Sequence, residues 1–170
     1  MSEMSSQGPF TAFLNAMRHG SARQILELGT VNTSFLLEVI GSADWTPKIE
    51  LHCTDPTTEA FDDGLVAAAD GTNTVFELIK HLGSEVEVND AIMELASSSP
   101  FDAIFISNAH TAEELLTSFM VAHDSLRSGG IVSLSADLIT SESTAHAIPT
   151  FRDMFGDLYD EPANHLFVKL

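Results

Sequence analysis

The sequence predicts an α/β protein: a doubly wound, mostly parallel sheet that ends in an antiparallel hairpin. Three observations predict it. The apolar run Ile25 to Leu28 stops at Gly29, and an apolar-periodic helix follows from about Ser34, so a strand, a tight turn and a helix N-terminus stand in succession. The next strand, Ile49 to Cys53, ends at Asp55-Pro56. A glycine turn after one strand and a carboxylate after the next form the nucleotide-cradling end of such a sheet. Further on, Phe101-Asp102-Ala103-Ile104-Phe105-Ile106 reads as a continuous apolar strand, typical of the middle of a parallel sheet.

The elements follow in order. Phe10, Phe13, Leu14 and Met17 recur at helical spacing, which predicts a short amphipathic helix over Pro9 to His19, closed by Gly20. After the first strand, a helix over Ser34 to Ile40 covers the sheet before Gly41. The second strand leads into an acidic segment carrying Glu59, Asp62, Asp63 and Asp70. Thr74 is placed to cap a helix over Val75 to Leu82, which Gly83 ends. Glu85 to Val88 alternates and predicts the third strand, and Asn89-Asp90-Ala91 opens a helix to about Ala96. Three serines and Pro100 break the chain before the fourth strand. Thr111 and Glu114 form a capping box for a helix bearing Leu115, Leu116, Phe119, Met120 and His123. Arg127-Ser128-Gly129-Gly130 turns the chain into a strand over Ile131 to Leu134. Pro149 suits the first turn of a helix running to Phe155, stopped by Gly156. Leu158 to Asp160 and His165 to Leu170, joined through Pro162-Ala163-Asn164, predict an antiparallel pair at the sheet edge. Crossovers in such a sheet are right-handed.

Length predicts one domain over residues 1–170, with residues 1–20 as a helical extension. No apolar run approaches the roughly 18 residues of a membrane span. The polar stretch Met1 to Gln7 lacks a secretory pattern, and Cys53 is the one cysteine, so the expectation is a cytoplasmic protein without an intramolecular disulfide. Twenty-five acids face seven Lys and Arg, a formal net charge of −18. Such a surface repels phosphate backbones and anionic membranes, so neither nucleic acid nor membrane is an expected partner. It also disfavours an anionic coenzyme A ester as substrate. A solvated acidic surface that keeps the protein soluble accounts for the charge by itself.

Five segments, in order, resemble the class I S-adenosylmethionine-dependent methyltransferases, and most closely the catechol and caffeoyl-CoA type O-methyltransferases, whose sheet is Rossmann-like with a C-terminal antiparallel hairpin. Glu27, Gly29 and Thr30 match the first motif in its Glu-x-Gly-Thr-x-x-Gly-x-Ser form, with Thr33 at the second glycine position. Asp55, followed by Pro56, matches the carboxylate that holds the ribose. Asn89-Asp90-Ala91 with Leu95 resembles the Gly-Asp-Ala-x-x-x-Leu segment, in which the residue before Ala contacts adenine. Phe101 to Ile106 followed by His110 resembles the fourth-strand motif, and Leu126-Arg127-Ser128-Gly129-Gly130 the Leu-Arg-Pro-Gly-Gly turn before strand five.

The resemblance implies S-adenosylmethionine or S-adenosylhomocysteine as cofactor and a small-molecule acceptor, with a homodimer left open. Glu27, Gly29, Thr30 and Ser107 are then expected at the cofactor, together with Asp55, Pro56, Asp90 and Ala91. His110, at the carboxyl end of a central strand, is the candidate catalytic base; a solvated loop histidine is the plainer reading. Gly29 and Asp55 also make sense as simple turn residues, and Glu27 as the partner of a helix N-terminus. His123 reads as a core histidine and Cys53 as a small buried hydrophobe. In the metal-dependent branch an aspartate ends the fourth strand where Ser107 stands here, and a second acidic position is Ala109. The Asp-Asn pair after strand five would fall at Ser135-Ala136, with Asp137 displaced by one residue. One misplaced aspartate does not make a hard-cation site, so no metal is expected.

Two functions follow from different classes. One is a metal-independent O-methyltransferase. The other is a catalytically inactive protein of the same fold serving as a binding or assembly module, favoured by Thr33, by the missing metal ligands and by the short stretch before the first motif. A nicotinamide-dependent reading is weak because Gly-x-Gly-x-x-Gly is absent.

Overall fold

A computed structural model describes residues 9–30, 34–54 and 60–170. In chain order its elements are α1 (Pro9–His19), β1 (Gln24–Leu28), α2 (Ser34–Ser42), β2 (Lys48–Thr54), α3 (Ala60–Ala69), β3 (Val75–His81), α4 (Glu85–Ser98), β4 (Phe101–Ile106), α5 (Ala112–Ser125), β5 (Leu126–Leu134), α6 (Ala136–Ile139), α7 (Glu142–Phe155), β6 (Tyr159–Ala163) and β7 (Leu166–Lys169). The strands form one sheet in the order β3-β2-β1-β4-β5-β7-β6. The first five pair in parallel. β7 lies antiparallel between β5 and β6, which makes the C-terminal hairpin part of the sheet.

Alternation along the central strands decides which helices lie on which face, because successive side chains point to opposite sides. Leu26, Leu28, Ile104, Ile106, Val132 and Leu134 pack with side chains of α4, α5 and α7 in one apolar layer. Ile25, Ala103, Phe105 and Ile131 pack with α1, α2 and Leu65 of α3 in the other. Both faces of the inner strands are therefore buried, as a near-continuous apolar strand requires.

The chain runs outward from β1 to β3, then returns to the far side of β1 to lay down β4. This reversal is the topological switch point, where the crossovers on either side diverge and leave a crevice at the carboxyl ends of the strands. Leu28 pairs with Ile106 there, and the Ser107 N–H donates to the Leu28 carbonyl at 2.9 Å.

Four expectations are corrected. Val75 to Leu82 is not a helix; Val75–His81 is β3, in unbroken parallel register with β2 from Lys48↔Val75 to Thr54↔His81. Thr74 does not cap a helix: its hydroxyl donates to the Thr46 and Ala43 carbonyls at 3.1 and 3.3 Å, tying the chain to the start of β2. Glu85 to Val88 is not a strand but the first turn of α4. Ser84 is the N-cap, its hydroxyl accepting the Glu87 N–H at 3.3 Å while the Glu87 carboxylate accepts the Ser84 N–H at 2.9 Å. This reciprocal capping box satisfies two helix-end donors, and it outweighs the local alternation of apolar and acidic residues. Pro149 lies well inside α7, whose true N-cap is Ser141.

Two smaller differences concern turns. Thr111 caps α5 as expected, accepting the Glu114 N–H at 3.1 Å, but the Glu114 carboxylate reaches back one residue further, to the His110 N–H at 2.7 Å. The Arg127–Gly130 turn is an irregularity inside β5: Leu126 pairs with Phe101 and Ile131 with Ala103, so extra residues loop out, with Gly129 at φ 76°.

Candidate functional site

Glu27 is the penultimate residue of β1, on the same face as Phe105, its register partner on β4. That parity turns a carboxylate into the apolar layer, where it is only 2% exposed. One oxygen, Oε1, accepts the Ser107 hydroxyl proton at 2.5 Å. The other, Oε2, is buried and has no hydrogen-bond partner among the described residues. Burial disfavours the charged form and raises the Glu27 pKa from 4.5 to about 7, although the Ser107 hydrogen bond and, more weakly, the nearby Thr30 hydroxyl, which makes no hydrogen bond of good geometry to Oε2, pull it back down.

The residues beyond Glu27 build the rest of the crevice floor. Gly29 adopts φ 70°, and a Cβ there would collide with the Asn108 carbonyl oxygen, so no side chain fits. Its N–H donates to the Thr54 hydroxyl at 2.9 Å, and Thr30 Oγ1 accepts the Thr54 N–H at 3.3 Å. The ends of β1 and β2 are thereby locked together. Ser107 ties in the other side: its carbonyl accepts the Ser135 hydroxyl at 2.8 Å, so the ends of β1, β4 and β5 share one polar seam.

Two recesses open on this floor and share Asn108 and Ala109. The larger, about 500 Å³, runs between α1, α2 and the ends of β1, β4 and β5. Glu27 and Ser107 lie at its floor, and Glu38, Ala136, Asp137 and Leu138 also line it. One wall is aromatic. Phe35 and Phe105 stack at 4.4 Å, and Phe10 of α1 sets its ring edge-on to both, at 5.9 and 5.6 Å. The smaller recess, about 310 Å³, lies towards β3, with Leu28, Gly29, Thr54, Gly83, Val88 and His110 among its walls. Both volumes are in the range of small-molecule and cofactor pockets.

The sequence-predicted residues divide accordingly. Glu27, Gly29, Thr30 and Ser107 are brought together at the floor. His110 is exposed and lines the smaller recess rather than the larger. Asp90 and Ala91 are displaced from where the sequence puts them: both are exposed positions within α4, and the residues that follow β3 are Leu82, Gly83 and Ser84. The misread third strand carries that error. Thr33, Asp55 and Pro56 lie outside the described residues. Among the described residues no group of three or more His, Cys, Asp and Glu side chains is arranged to hold a metal ion. His123 is half-buried, stacked on Phe155 at 4.3 Å and hydrogen-bonded to the Tyr159 hydroxyl at 3.0 Å.

Sequence reasoning missed the aromatic wall, Glu38, Asn108 and Gly83. Gly83 had a readable signal, since the Ser84-x-x-Glu87 capping pattern marks a helix start immediately after it. The three phenylalanines come from α1, α2 and β4, and nothing local in the sequence assigns them to one wall.

No protein-family model matches the sequence, and no curated protein does. Solved structures do match in fold. The O-methyltransferase TomG from Streptomyces achromogenes, involved in tomaymycin synthesis and solved with S-adenosylmethionine, is similar over 92% of this chain and 72% of its own, at 17% identity and a TM-score of 0.61. The O-methyltransferase from Bacillus cereus, solved with S-adenosylhomocysteine, is similar over the same shares at 17% identity and a TM-score of 0.59. MycE, a methyltransferase of the mycinamycin biosynthetic pathway solved with Mg, S-adenosylhomocysteine and mycinamycin VI, is similar over 94% of this chain and 48% of its own, at 14% identity and a TM-score of 0.62. The likeness is one of fold: this chain has the Rossmann-like methyltransferase architecture of these proteins.

Proposed function

We propose that this protein is an S-adenosylmethionine-dependent O-methyltransferase of small molecules that works without a metal ion. The observation that carries the reading is Glu27, a buried carboxylate with an orphan oxygen on the floor of the crevice at the switch point. Burial favours the protonated form of this group, and a cation placed beside it would hold it ionised. S-adenosylmethionine carries two, an α-ammonium and a sulfonium. The residues fit it further: Gly29 leaves the backbone bare for close approach, and the smaller recess offers apolar walls at Leu28 and Val88 for a flat base. Asp55, next in sequence after Thr54, is proposed to accept the ribose hydroxyls, beside Pro56.

When bound, this cofactor supplies an electrophilic methyl group on sulfur, which an acceptor oxygen takes as the carbon–sulfur bond breaks, leaving a neutral thioether. The chain's own work is positioning and exclusion of water. Glu27, fixed by Ser107, sets the depth of the cationic end. Phe10, Phe35 and Phe105 hold a flat acceptor against the larger recess. His110 lines the smaller recess, which adjoins the larger at Asn108 and Ala109, and is proposed to reach across that boundary to take the acceptor's hydroxyl proton on its imidazole. A metal has little to bind: the Ser107 hydroxyl is committed to Glu27, Ala109 has no donor, and hard cations need several oxygen ligands.

A second reading, an inactive binding module, is favoured by the absence of His, Lys and Arg from the described lining of the larger recess. Titration with S-adenosylmethionine and S-adenosylhomocysteine, followed by methyl-transfer assays with and without EDTA, tests the proposal. Single-site binding with EDTA-resistant turnover supports it. Binding without turnover on any acceptor favours the module, and no binding of either compound ends both. His110→Ala then sorts the histidine: a base loses kcat and the acidic limb of the pH profile, whereas a nucleoside contact raises KM for the cofactor.

A further inference from the structure

Resting on that reading, we infer that the larger recess selects acceptors carrying a positive charge: a hydroxyl-bearing flat apolar body with a protonated amine, held by Glu38 and Asp137. The recess has two unlike kinds of lining. One is the phenylalanine wall, with Phe35 and Phe105 stacked at 4.4 Å and Phe10 edge-on to them, a surface for a flat apolar body. The other is acidic, from Glu38 of α2, one turn on from Phe35, and Asp137 of α6. No Lys, Arg or His is among its described lining residues. Glu27, 2% exposed and with a buried oxygen that has no hydrogen-bond partner among the described residues, also lines the recess, so every titratable side chain of its described lining is acidic.

Charge over the whole molecule works in the same direction. At −18, the surface field draws cations towards a low-dielectric cleft and repels anions. Phenylalanine faces add attraction for an ammonium group. With Glu27 committed to the cofactor's cationic end, Glu38 and Asp137 remain for the acceptor. Both are exposed positions, so their charge can be removed without disturbing the fold. The amine serves as the handle; the hydroxyl oxygen is the nucleophile, since a protonated amine has no lone pair to donate.

Three probes with one hydroxyphenyl ring separate charge from shape: tyramine (cation), tyrosol (neutral) and 4-hydroxyphenylacetate (anion). Their dissociation constants are measured calorimetrically at neutral pH, on the free protein and on protein saturated with S-adenosylhomocysteine. The expected order is tyramine, then tyrosol at roughly tenfold weaker affinity, then the anion without detectable binding. Glu38→Gln combined with Asp137→Asn brings tyramine to the level of tyrosol and leaves tyrosol unchanged. Equal affinity for tyramine and tyrosol, tighter binding of the anion, or no binding of any probe overturns the inference. So does a tyramine preference that survives the double variant, since it would belong to Glu27 or to the overall charge and not to these two residues. If S-adenosylhomocysteine itself fails to bind, the proposed function falls, and the ranking on the free protein still decides the acceptor inference.

Discussion

Glu27 is held by the sheet in a place where ionisation is disfavoured, and its effect on stability has a definite sign. Its pKa is raised from 4.5 to about 7 in the folded protein, chiefly by burial. Between those values the folded state binds more protons than the unfolded chain, so stability falls as pH rises. Its contribution is fully present below about pH 4.5 and lost through about pH 7, a difference on the order of 3 kcal/mol. Glu27→Gln should therefore match the wild type near pH 4.5 and exceed it at pH 8, as read from urea unfolding at both values. A variant no more stable at pH 8 would show that the carboxylate is not strained by burial. Gly29 makes a second residue-scale prediction. Its φ of 70° costs a residue with a Cβ roughly 1–2 kcal/mol, and the contact with the Asn108 carbonyl adds to that. Gly29→Ala should lose at least about 2 kcal/mol in the same assay; a neutral substitution would mean that the turn relaxes freely. Much of this was legible in sequence, because Glu27, Gly29 and Thr30 act within one strand and its turn. The partner that makes Glu27 unusual, Ser107, is 80 positions away.

Among the elements, α4 and β3 show where local pattern misleads. The Val75–His81 segment has apolar residues at both helical and alternating spacing, and only pairing with β2 decides between them. The Glu85–Val88 segment alternates like a strand, yet its neighbour Ser84 supplies a cap that a strand has no use for. Ser84→Ala should cost about 1 kcal/mol, the usual loss for an N-cap hydroxyl. Thermal unfolding measures it, and an unchanged midpoint would argue that α4 does not start there. The consequence for the site was direct: shifting the start of this helix by one turn and more moved the expected adenine contact from the end of β3 to Asp90 and Ala91. The first, second and fourth strands and the terminal hairpin were legible because turn residues bound each of them. α6, four residues long and capped by Ser135, was too short to leave a periodic signal.

For the whole molecule, charge is the unusual property. Twenty-five acids against seven Lys and Arg repel one another in the compact state, and added salt screens that repulsion. Stability should rise when NaCl goes from about 0.01 M to about 1 M, where the screening length falls from roughly 30 to roughly 3 Å. Flat or falling stability across that range would mean that the acids are already compensated by pairing.

The same charge bears on the crevice, whose floor, at the switch point of a methyltransferase-type sheet, holds the buried carboxyl group of Glu27. The most direct measurement is proton release on binding S-adenosylmethionine, by calorimetry at about pH 6 in buffers of different ionisation enthalpy. Free Glu27 is mostly protonated there, and a cation beside it drives the proton off. The wild type should release close to one proton per cofactor bound, and Glu27→Gln none. Absence of binding, binding without proton release, or equal release by the Glu27→Gln variant would contradict the assignment of Glu27 to the cofactor's charged end.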